Sequence, residues 1–422
     1  MHYLLATWDG GGTVPIDFGI VRRLAARGHT ITVLGDPTIA EEADQAGAEF
    51  VPWRNAPHRR STALEDDVLK DWECRNQLEL FRRVADRLIT GPAAAYAVET
   101  AAELARRPPA VAVVDAAILG PMVAAEALRV PTVAICPGIY IMPAKGMPPF
   151  GLGLKPARGR PGRLRDTAIN AAVKAAWRSG LPALNTARAG YGLPALADPW
   201  DQLRSCHSML IASARSFDFP AQLPDFAHYV GPIIDEPIWA AGPIELDPEE
   251  DLPLVVVGLS STFVEGQDDL LRRITAALAT LRVRGLVCTG PTIDPADVPG
   301  AGQVRVVRSA PHSEVFPLAK VIVTHGGHGT MMKALAAGKP VVCLPGFRDQ
   351  KDNAARMTTR GAGLSLKPTA SSAHIAAAVQ RLIDEPRFVT AAVDLGRRIR
   401  AEIDPTALIN LLERPGSERK VG

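Results

Sequence analysis

The chain has 422 residues, 47% of them apolar, and a formal net charge of +2. This length predicts two or three domains of about 150 residues each, and the near-zero charge argues against a polyanionic partner such as nucleic acid. Five scattered cysteines indicate buried thiols and exclude a disulfide framework or a zinc site. We find neither a secretory leader nor an apolar run long enough to span a bilayer, so we expect a cytoplasmic protein.

Apolar runs of strand length alternate with longer helical patterns from the first residues onward. The alternation predicts strands at Tyr3–Thr7, Thr30–Leu34, Val111–Val114 and Thr132–Ile135, and helices at Ile16–Arg27 and Pro121–Leu128. Strands that alternate with helices form βαβ units, so this half of the chain predicts a parallel sheet covered by helices.

A stretch rich in proline, glycine and basic residues follows at 145–165. A loop of this length inside a compact domain is usually functional or mobile. Two interpretations stay open here: a solvated surface loop, and a lid or wall for a substrate.

The strand–helix alternation restarts near residue 253. It predicts strands at Leu254–Gly258, Gly285–Thr289, Val304–Val307, Val321–Thr324 and Val341–Leu344, and a helix at Asp268–Leu281. The proline-rich and acidic stretch 231–252 reads as a linker, and the tail Ala391–Glu413 as helical. We therefore expect an α/β protein with two doubly wound domains, 1–230 and 253–394, across a cleft. In such sheets, ligands bind outside the carboxyl ends of the strands.

The most informative segment is a glycine-rich turn between the fourth strand of the second half and a helical pattern. Gly326, Gly327 and Gly329 allow a tight turn and let a ligand approach the backbone without a Cβ in the way. The helix presents free N–H groups and the positive end of its dipole to this turn, which suits an anion such as phosphate. His325 and Thr330 flank the turn and can add side-chain donors.

Together these features resemble the nucleotide-sugar-dependent glycosyltransferases of the GT-B fold, in particular the bacterial enzymes that decorate natural products, which are relatives of the plant UDP-glycosyltransferases. The resemblance covers nearly the whole chain and is strongest over residues 304–363. It implies two Rossmann-like domains, the first for the acceptor and the second for the donor, with a terminal helix at 395–422 that crosses back onto the first. It also implies inverting transfer of a hexosyl or deoxyhexosyl group without a cofactor or a metal.

In this family the glycine-rich turn holds the donor diphosphate, so the resemblance assigns His325 to one phosphate and Thr330 to the other. Asp349 and Gln350 match the pair that binds the donor sugar's hydroxyls, and Asn353 fits the same pattern. A carboxylate and an amide can together read a sugar edge. The implied donor residues are Ser260, Ser261, Thr262, Ser309, Ala310, His325, Gly326, Gly327, His328, Gly329, Thr330, Asp349 and Gln350.

Two departures from the family pattern concern the nucleoside. Many relatives stack a tryptophan on the base where this chain has Ser309, so stacking is absent or supplied elsewhere. Plant relatives carry a ribose-binding glutamate where this chain has Lys333, which offers no acceptor. Losing that contact costs little if the donor lacks a 2′-hydroxyl, so we expect a dTDP-sugar in preference to a UDP-sugar.

The largest departure concerns the catalytic base. The family's usual histidine is replaced here by Gly12. The resemblance leaves Asp9, in the same loop, and Asp115, which matches the aspartate that normally orients the histidine, as candidate bases. Either could instead cap a neighbouring turn or helix, which would leave proton removal to solvent or to a histidine such as His58.

The acceptor is expected to lie against the first domain. An apolar aglycone such as a polyketide or macrolide, joined through oxygen or carbon, suits the apolar side chains predicted there, although these could equally be core. The predicted acceptor residues are Gly12, Trp72, Phe81, Ile139, Tyr140, Met142 and Phe150.

Other functions stay open from the sequence. The basic run from Lys155 to Arg165 is compatible with transfer to a lipid acceptor at a membrane. Nucleotide-sugar epimerases can share the fold, and the missing histidine is compatible with a non-catalytic helper of a partner transferase. The near-complete donor motif favours the transferase over these two. The expected partners are a nucleotide-sugar and a small aglycone, with no nucleic acid and no stable membrane insertion, and a homodimer is compatible.

Overall fold

A computed structural model describes residues 1–240, 242, 244 and 251–414. Within them the strands form two sheets, and every strand pairing in both sheets is parallel. The strands of the first sheet are β1 (His2–Ala6), β2 (Thr30–Gly35), β3 (Glu49–Pro52), β4 (Val111–Asp115), β5 (Thr132–Cys136), β6 (Ser208–Ile211) and β7 (Ala227–Tyr229). Their order is β3-β2-β1-β4-β5-β6-β7.

The helices of this N-terminal domain cover both faces of its sheet, so the central strands are buried on each side. They are α1 (Val14–Ala26), α2 (Ala40–Gln45), α3 (Gln77–Val84), α4 (Ala93–Arg106), α5 (Leu119–Ala127), α6 (Gly159–Arg178), α7 (Leu181–Ala189) and α8 (Trp200–Arg204).

The second sheet is built in the same way. Its strands are β8 (Leu254–Gly258), β9 (Arg284–Cys288), β10 (Val304–Val307), β11 (Val321–Thr324), β12 (Val341–Cys343) and β13 (Gly363–Ser365). Their order is β10-β9-β8-β11-β12-β13, the order of dinucleotide-binding domains. The helices of this half are α9 (Gln267–Ala279), α10 (His312–Val315), α11 (His328–Ala336), α12 (Gln350–Thr359), α13 (Ser372–Asp384), α14 (Pro386–Ala401) and α15 (Pro405–Glu413).

The predicted α/β class with two doubly wound domains is confirmed, and each predicted strand is present to within one residue at either end. Sequence analysis did not predict β3, β6, β7 and β13, which have three or four residues each. Three of these are edge strands, where a short run carries little apolar signal. The predicted linker 231–252 includes residues 241, 243 and 245–250, which lie outside the described residues.

The stretch at 145–165 is only partly a loop, because α6 begins at Gly159. In the loop portion, the Gly151 N–H donates to Asp352 Oδ2 at 2.7 Å, and the Gly153 N–H donates to the other oxygen at 3.3 Å. Asp352 belongs to α12, so the second domain holds this loop in place. Of the predicted basic run from Lys155 to Arg165, the residues after Gly159 lie in the first turns of α6, where most side chains are exposed.

The tail is two helices, where a single helical stretch was predicted. The chain breaks at Asp404, whose carboxylate accepts hydrogen bonds from the N–H groups of Thr406 and Ala407 and so caps α15. α14 packs in the core of the C-terminal domain, whereas Leu408 and Leu412 of α15 pack in the core of the N-terminal domain. The chain thus returns to the N-terminal domain after α14. The predicted boundary at 395 falls inside that helix.

No helix of the described residues is both long and apolar enough to cross a membrane.

Candidate functional site

The carboxyl ends of both sheets face one cleft at the points where strand order reverses. In the first sheet that point lies between β1 and β4, and in the second between β8 and β11. The loops that leave these strands line the same cavity. They also meet directly: Gly11 has φ +72°, and a Cβ there would lie 2.4 Å from Cγ2 of Thr262 in the other domain. The two switch points therefore form one composite site.

The predicted phosphate turn connects β11 to α11 as expected. Gly326 has φ +93°, and a Cβ on it would lie 2.7 Å from Cys343 Sγ. Gly326 therefore requires glycine, whereas a Cβ on Gly327 would lie 2.6 Å from the His325 ring and would displace that ring. Gly327, Gly329 and Thr330 line the cleft, and the free N–H groups of the helix start there. Gly326, also assigned to the donor, is buried and is not part of the lining.

Burial lowers the pKa of His325 to about 4, so the imidazole is neutral near pH 7. Its ring lies in the cleft lining beside the turn. A bound anion would favour the charged form, which donates from both ring nitrogens.

His328, also assigned to the donor, has a second contact. Its Nε2 lies 3.2 Å from the carbonyl oxygen of Ala212 in the N-terminal domain. Its ring lies near Phe217, and burial lowers its pKa. His328 thus joins the domains as well as lining the cleft.

The serine-rich loop after β8 lines the cleft beside the glycine turn, because β8 and β11 are neighbouring parallel strands. The side chain of Gln267 fixes this loop, because it accepts from the Ser260 N–H at 3.0 Å and donates to the Ser260 carbonyl at 3.1 Å. The hydroxyls of Ser260 and Thr262 lie 3.0 Å apart, and Ser261 also lines the cavity. The loop can therefore present several hydroxyl and N–H donors to one ligand.

Asp349 and Gln350 lie at the start of α12 and line the cleft. The amide oxygen of Gln350 accepts from the N–H groups of Gly346 and Phe347, so its NH₂ group remains as the donor. Asp349 Oδ2 accepts from Asn353 Nδ2 at 2.8 Å, and the same Asn353 group donates to the carbonyl of the glycine turn at 2.9 Å. Asn353 therefore connects the predicted sugar-binding carboxylate to the predicted phosphate turn.

Ser309 and Ala310, the residues assigned to the base, line the cleft. The Ser309 hydroxyl donates to the backbone carbonyl of Trp239 at 3.3 Å. Trp239 comes from the linker, lines the same cleft, and is 41% exposed. Sequence analysis did not find it, because only the fold brings residue 239 beside residue 309.

Lys333 is not alone at the position of the missing glutamate. Its Nζ lies 2.7 Å from Oε2 of Glu236, and both side chains line the cleft. The other oxygen of Glu236 accepts from the Ser313 N–H at 2.8 Å. A carboxylate is thus present where the sequence predicted none.

Asp115, one of the two predicted bases, ends β4 and lies in the cleft lining. Its Oδ1 accepts from the Ala117 N–H at 2.7 Å, while Oδ2 is buried without a partner in the described part of the chain. Burial raises the pKa of Asp115 to about 7. This is the pKa that suits a general base near neutral pH.

A second buried carboxyl, which sequence analysis missed, lies near Asp115. The pairing of Ala6 with Val114 puts Thr7 and Asp115 at neighbouring strand ends, and Asp17 Oδ2 accepts from the Thr7 hydroxyl at 2.5 Å. Burial, and next the charge of Asp115, raise the pKa of Asp17 well above its usual value. The two buried carboxyls therefore titrate as an interacting pair, and burial raises the pKa of both.

Asp9, the second predicted base, is not in the cleft lining. Its carboxylate accepts from the Gly11 N–H at 3.0 Å and from the Thr38 hydroxyl at 2.8 Å, and Arg59 lies 3.6 Å away. These contacts describe a residue that caps the glycine loop and ties it to its own domain. His58 is also absent from the cleft lining.

The predicted acceptor residues divide into two groups. Gly12, Phe81, Ile139 and Phe150 line the cleft. Tyr140 and Met142 do not, because they are 1% and 2% exposed within the core of the N-terminal domain. Trp72 packs edge-on against Phe263 of the other domain, with the ring centroids 5.0 Å apart, and is also outside the lining.

Sequence analysis missed two tryptophans of the acceptor wall. Trp177 of α6 and Trp200 of α8 line the cleft, with their ring centroids 5.4 Å apart, and Phe81 packs on Trp177. It also missed Arg348, whose Nε lies 2.7 Å from Asp71 Oδ2 across the domain boundary. Arg348 has φ +52°. Its position directly before the Asp349–Gln350 pair was the only sequence signal that could have pointed to it.

The C-terminal part of the chain, residues 290–414, matches the family described as erythromycin biosynthesis protein CIII-like, C-terminal domain. Over its whole length the chain is similar to 4′-demethylrebeccamycin synthase of Lentzea aerocolonigenes, with 27% identity over 97% of this chain and 98% of the relative.

Solved structures share the fold. CalG4, the calicheamicin glycosyltransferase, superposes with a TM-score of 0.74 at 23% identity, covering 98% of this chain and 97% of CalG4. The glycosyltransferase VinC, solved in complex with dTDP, superposes with a TM-score of 0.71 at 19% identity, covering 99% of this chain and all of VinC. Two Rossmann-like domains, a composite cleft and these similarities agree: the chain has the GT-B fold, and over its whole length it is similar to natural-product glycosyltransferases.

Proposed function

We propose that this enzyme transfers a hexosyl or deoxyhexosyl group, with inversion and without a metal, from a dTDP-sugar to an apolar aglycone. One observation carries the proposal. Asp115, with its raised pKa and an unpartnered carboxylate oxygen, lines the same cleft as the anion-binding start of α11. A base and a leaving-group site on opposite walls are what displacement at a sugar carbon requires.

The donor would lie along the second domain. Its diphosphate would bind at the glycine turn, with His325, Thr330 and the hydroxyls of the loop after β8 as donors. The sugar would then lie toward Asp349 and Gln350 at the start of α12. The proposal of dTDP draws its support from VinC, which was solved with that nucleotide. The absence of an acceptor at Lys333 was the sequence argument for a nucleotide without a 2′-hydroxyl. That argument is weaker in the structure, because the Glu236 carboxylate lies beside Lys333 and can accept a hydrogen bond.

In the reaction, Asp115 would take the proton of the acceptor hydroxyl as the acceptor oxygen bonds to the anomeric carbon. The bond from that carbon to the diphosphate oxygen breaks, and the electron pair leaves with the diphosphate. Attack opposite the leaving group inverts the carbon. The N–H groups of α11 and a protonated His325 would stabilise the developing charge in place of a cation.

The acceptor would lie against the first domain. Phe81, Phe150, Trp177 and Trp200 give this wall of the cleft a broad aromatic surface. Flat rings of a polyketide type bury area against such a surface without demanding specific hydrogen bonds. O-linked transfer suits an Asp115 base with its raised pKa.

The test is calorimetric titration of the purified chain with dTDP, UDP and GDP, repeated with His325→Ala. We expect dTDP to bind best and to weaken by about tenfold or more in the variant, as for loss of a hydrogen bond to a charged group. Absence of binding by all three nucleotides would refute the donor site. Incubation of the isolated chain with dTDP-glucose and a panel of aromatic polyketides then tests transfer, and a chain that binds dTDP but forms no product with any of them would refute this proposed acceptor class.

A further inference from the structure

We propose that the linker segment 235–240 is part of the donor site and that its side chains bind the nucleoside: Trp239 stacks on the base, and Glu236 accepts a hydrogen bond from a ribose hydroxyl. This inference rests on the proposed function, because it presupposes a nucleoside diphosphate at the start of α11. It adds two recognition residues that neither the glycine turn nor the Asp349–Gln350 pair includes.

The first argument is position relative to the phosphates. Lys333 follows Gly329 by one helical turn, about 6 Å along the axis of α11, and its partner Glu236 lines the same cleft. A ribose is bonded directly to the first phosphate of a nucleoside diphosphate. A diphosphate at the start of α11 therefore brings the ribose within reach of the Glu236 carboxylate.

The second argument is the condition of that carboxylate. Lys333 holds one oxygen and the Ser313 N–H holds the other, so the side chain is fixed in the cleft wall. Each carboxylate oxygen can accept two hydrogen bonds, so each can still accept one more. A carboxylate fixed in this way can accept from a hydroxyl without losing side-chain freedom on binding.

The third argument is the exposed indole. Trp239 is 41% exposed and lines the cleft beside Ser309 and Ala310. The Ser309 hydroxyl donates to its backbone carbonyl at 3.3 Å, which positions the segment against the second domain. An exposed aromatic face in a nucleotide cleft is a stacking surface for a base.

Trp239 and Glu236 supply the two side chains that are missing from the family pattern at Ser309 and Lys333. The aromatic ring absent at Ser309 comes from Trp239, and the carboxylate absent at Lys333 comes from Glu236. Both substitutes lie within four residues of one another in the linker, next to the positions whose chemistry they replace.

The stacking arm of the test measures dTDP affinity by calorimetry, with UDP in parallel. Trp239→Ala should weaken dTDP by about fivefold or more, the least that loss of one base–aromatic stack costs, whereas Trp239→Phe should retain most of the affinity. Leu318→Ala is the control, since Leu318 is 62% exposed in the same domain but outside the cleft lining. Unchanged affinity in Trp239→Ala would overturn the stacking role.

The ribose arm compares dTDP with its 3′-deoxy analogue. The wild type should prefer dTDP, and the double variant Glu236→Leu/Lys333→Met, which removes the acceptor without stranding a buried ammonium group, should bind both ligands equally. Glu314→Gln, an exposed residue one position beyond Ser313, should keep the preference. A double variant with unchanged melting temperature that still prefers dTDP would overturn the Glu236 role.

The two proposals can fail separately. If the wild type binds neither dTDP nor UDP, the donor site itself is wrong and this inference falls with it. If the wild type binds and only His325→Ala weakens binding, the donor site stands and the linker contacts do not.

Discussion

Arg356 Nε lies 2.7 Å from Asp218 Oδ1, and this ion pair joins the two domains with side-chain exposures of 2% and 0%. Asp218 also accepts from the Tyr140 N–H and the Tyr229 hydroxyl. A buried charge whose partner is removed is far more costly than a broken surface pair. The pair therefore joins the domains at a point outside the cleft lining.

We predict that Asp218→Ala lowers the free energy of unfolding by about 3–5 kcal/mol, because it leaves the Arg356 guanidinium buried without its closest carboxylate. Urea denaturation followed by circular dichroism measures this. Asp394→Ala is the control, since its pair with Arg397 is exposed by 54% and 74% and should contribute less than about 1 kcal/mol. Equal losses in the two variants would contradict the prediction.

Asp115→Asn should reduce kcat by about 10²–10⁴-fold, the usual contribution of a general base, with little change in dTDP affinity. A general base acts in its carboxylate form, and burial raises the pKa of Asp115 to about 7. Turnover should accordingly fall as pH drops through about 7 and level off above it. The pH–rate profile measures this limb, and Asp9→Asn should retain it. Wild-type turnover in Asp115→Asn would exclude this residue as the base.

Nucleotide binding should take up a proton at His325. Burial holds the pKa of the free imidazole near 4, and a bound diphosphate favours the imidazolium form. Affinity for dTDP should therefore fall as pH rises from about 5 toward neutral. Calorimetry at pH 6 in buffers of different ionisation enthalpy measures the uptake, and His325→Gln should abolish it. Identical binding enthalpies in all buffers would mean that the neutral ring makes the contact.

Asp349→Asn should separate recognition of the sugar from recognition of the nucleotide. The amide oxygen can keep the hydrogen bond from Asn353, but the charge that accepts from sugar hydroxyls is lost. We expect the affinity for a dTDP-sugar to fall by about 10- to 100-fold, as for hydrogen bonds to a charged group, with dTDP itself unchanged or slightly tighter. A parallel loss for dTDP would show that Asp349 acts through the glycine turn.

The loops proposed to bind the donor could be located from the sequence because their residues follow strands in short, continuous motifs. The turn at His325 and the pair at Asp349 each occupy one loop, and the rule for parallel sheets puts both loops at one edge. For the same reason the strand pattern was enough to predict both sheets. The short strands β3, β6, β7 and β13 were missed because they lack the valine-rich runs that mark the equally short β10, β11 and β12.

The rest of the site depends on distances that no local pattern encodes. Glu236 and Lys333 are 97 residues apart in the sequence, and nothing near either one indicates the other. Asp17 lies on the buried face of α1. A buried acidic residue needs a hydrogen-bond partner, but the sequence does not indicate which residue provides it. Apolar residues posed the opposite problem: Tyr140 and Phe150 look alike in the sequence, but one is core and the other is cleft wall.

Two consecutive linker residues face different partners. Asp235 pairs with Arg22 and Arg23 of α1 at 2.8 and 2.9 Å, whereas Glu236 pairs with Lys333 of α11 at 2.7 Å. For anyone recombining halves of related enzymes, the peptide bond between them is the natural crossover. A chimaera joined there takes Asp235 from the same parent as its partners in α1, and Glu236 from the same parent as Lys333. A chimaera joined a few residues later would take Glu236 and Trp239 from the parent that provides the first domain, and the rest of the donor site from the other parent.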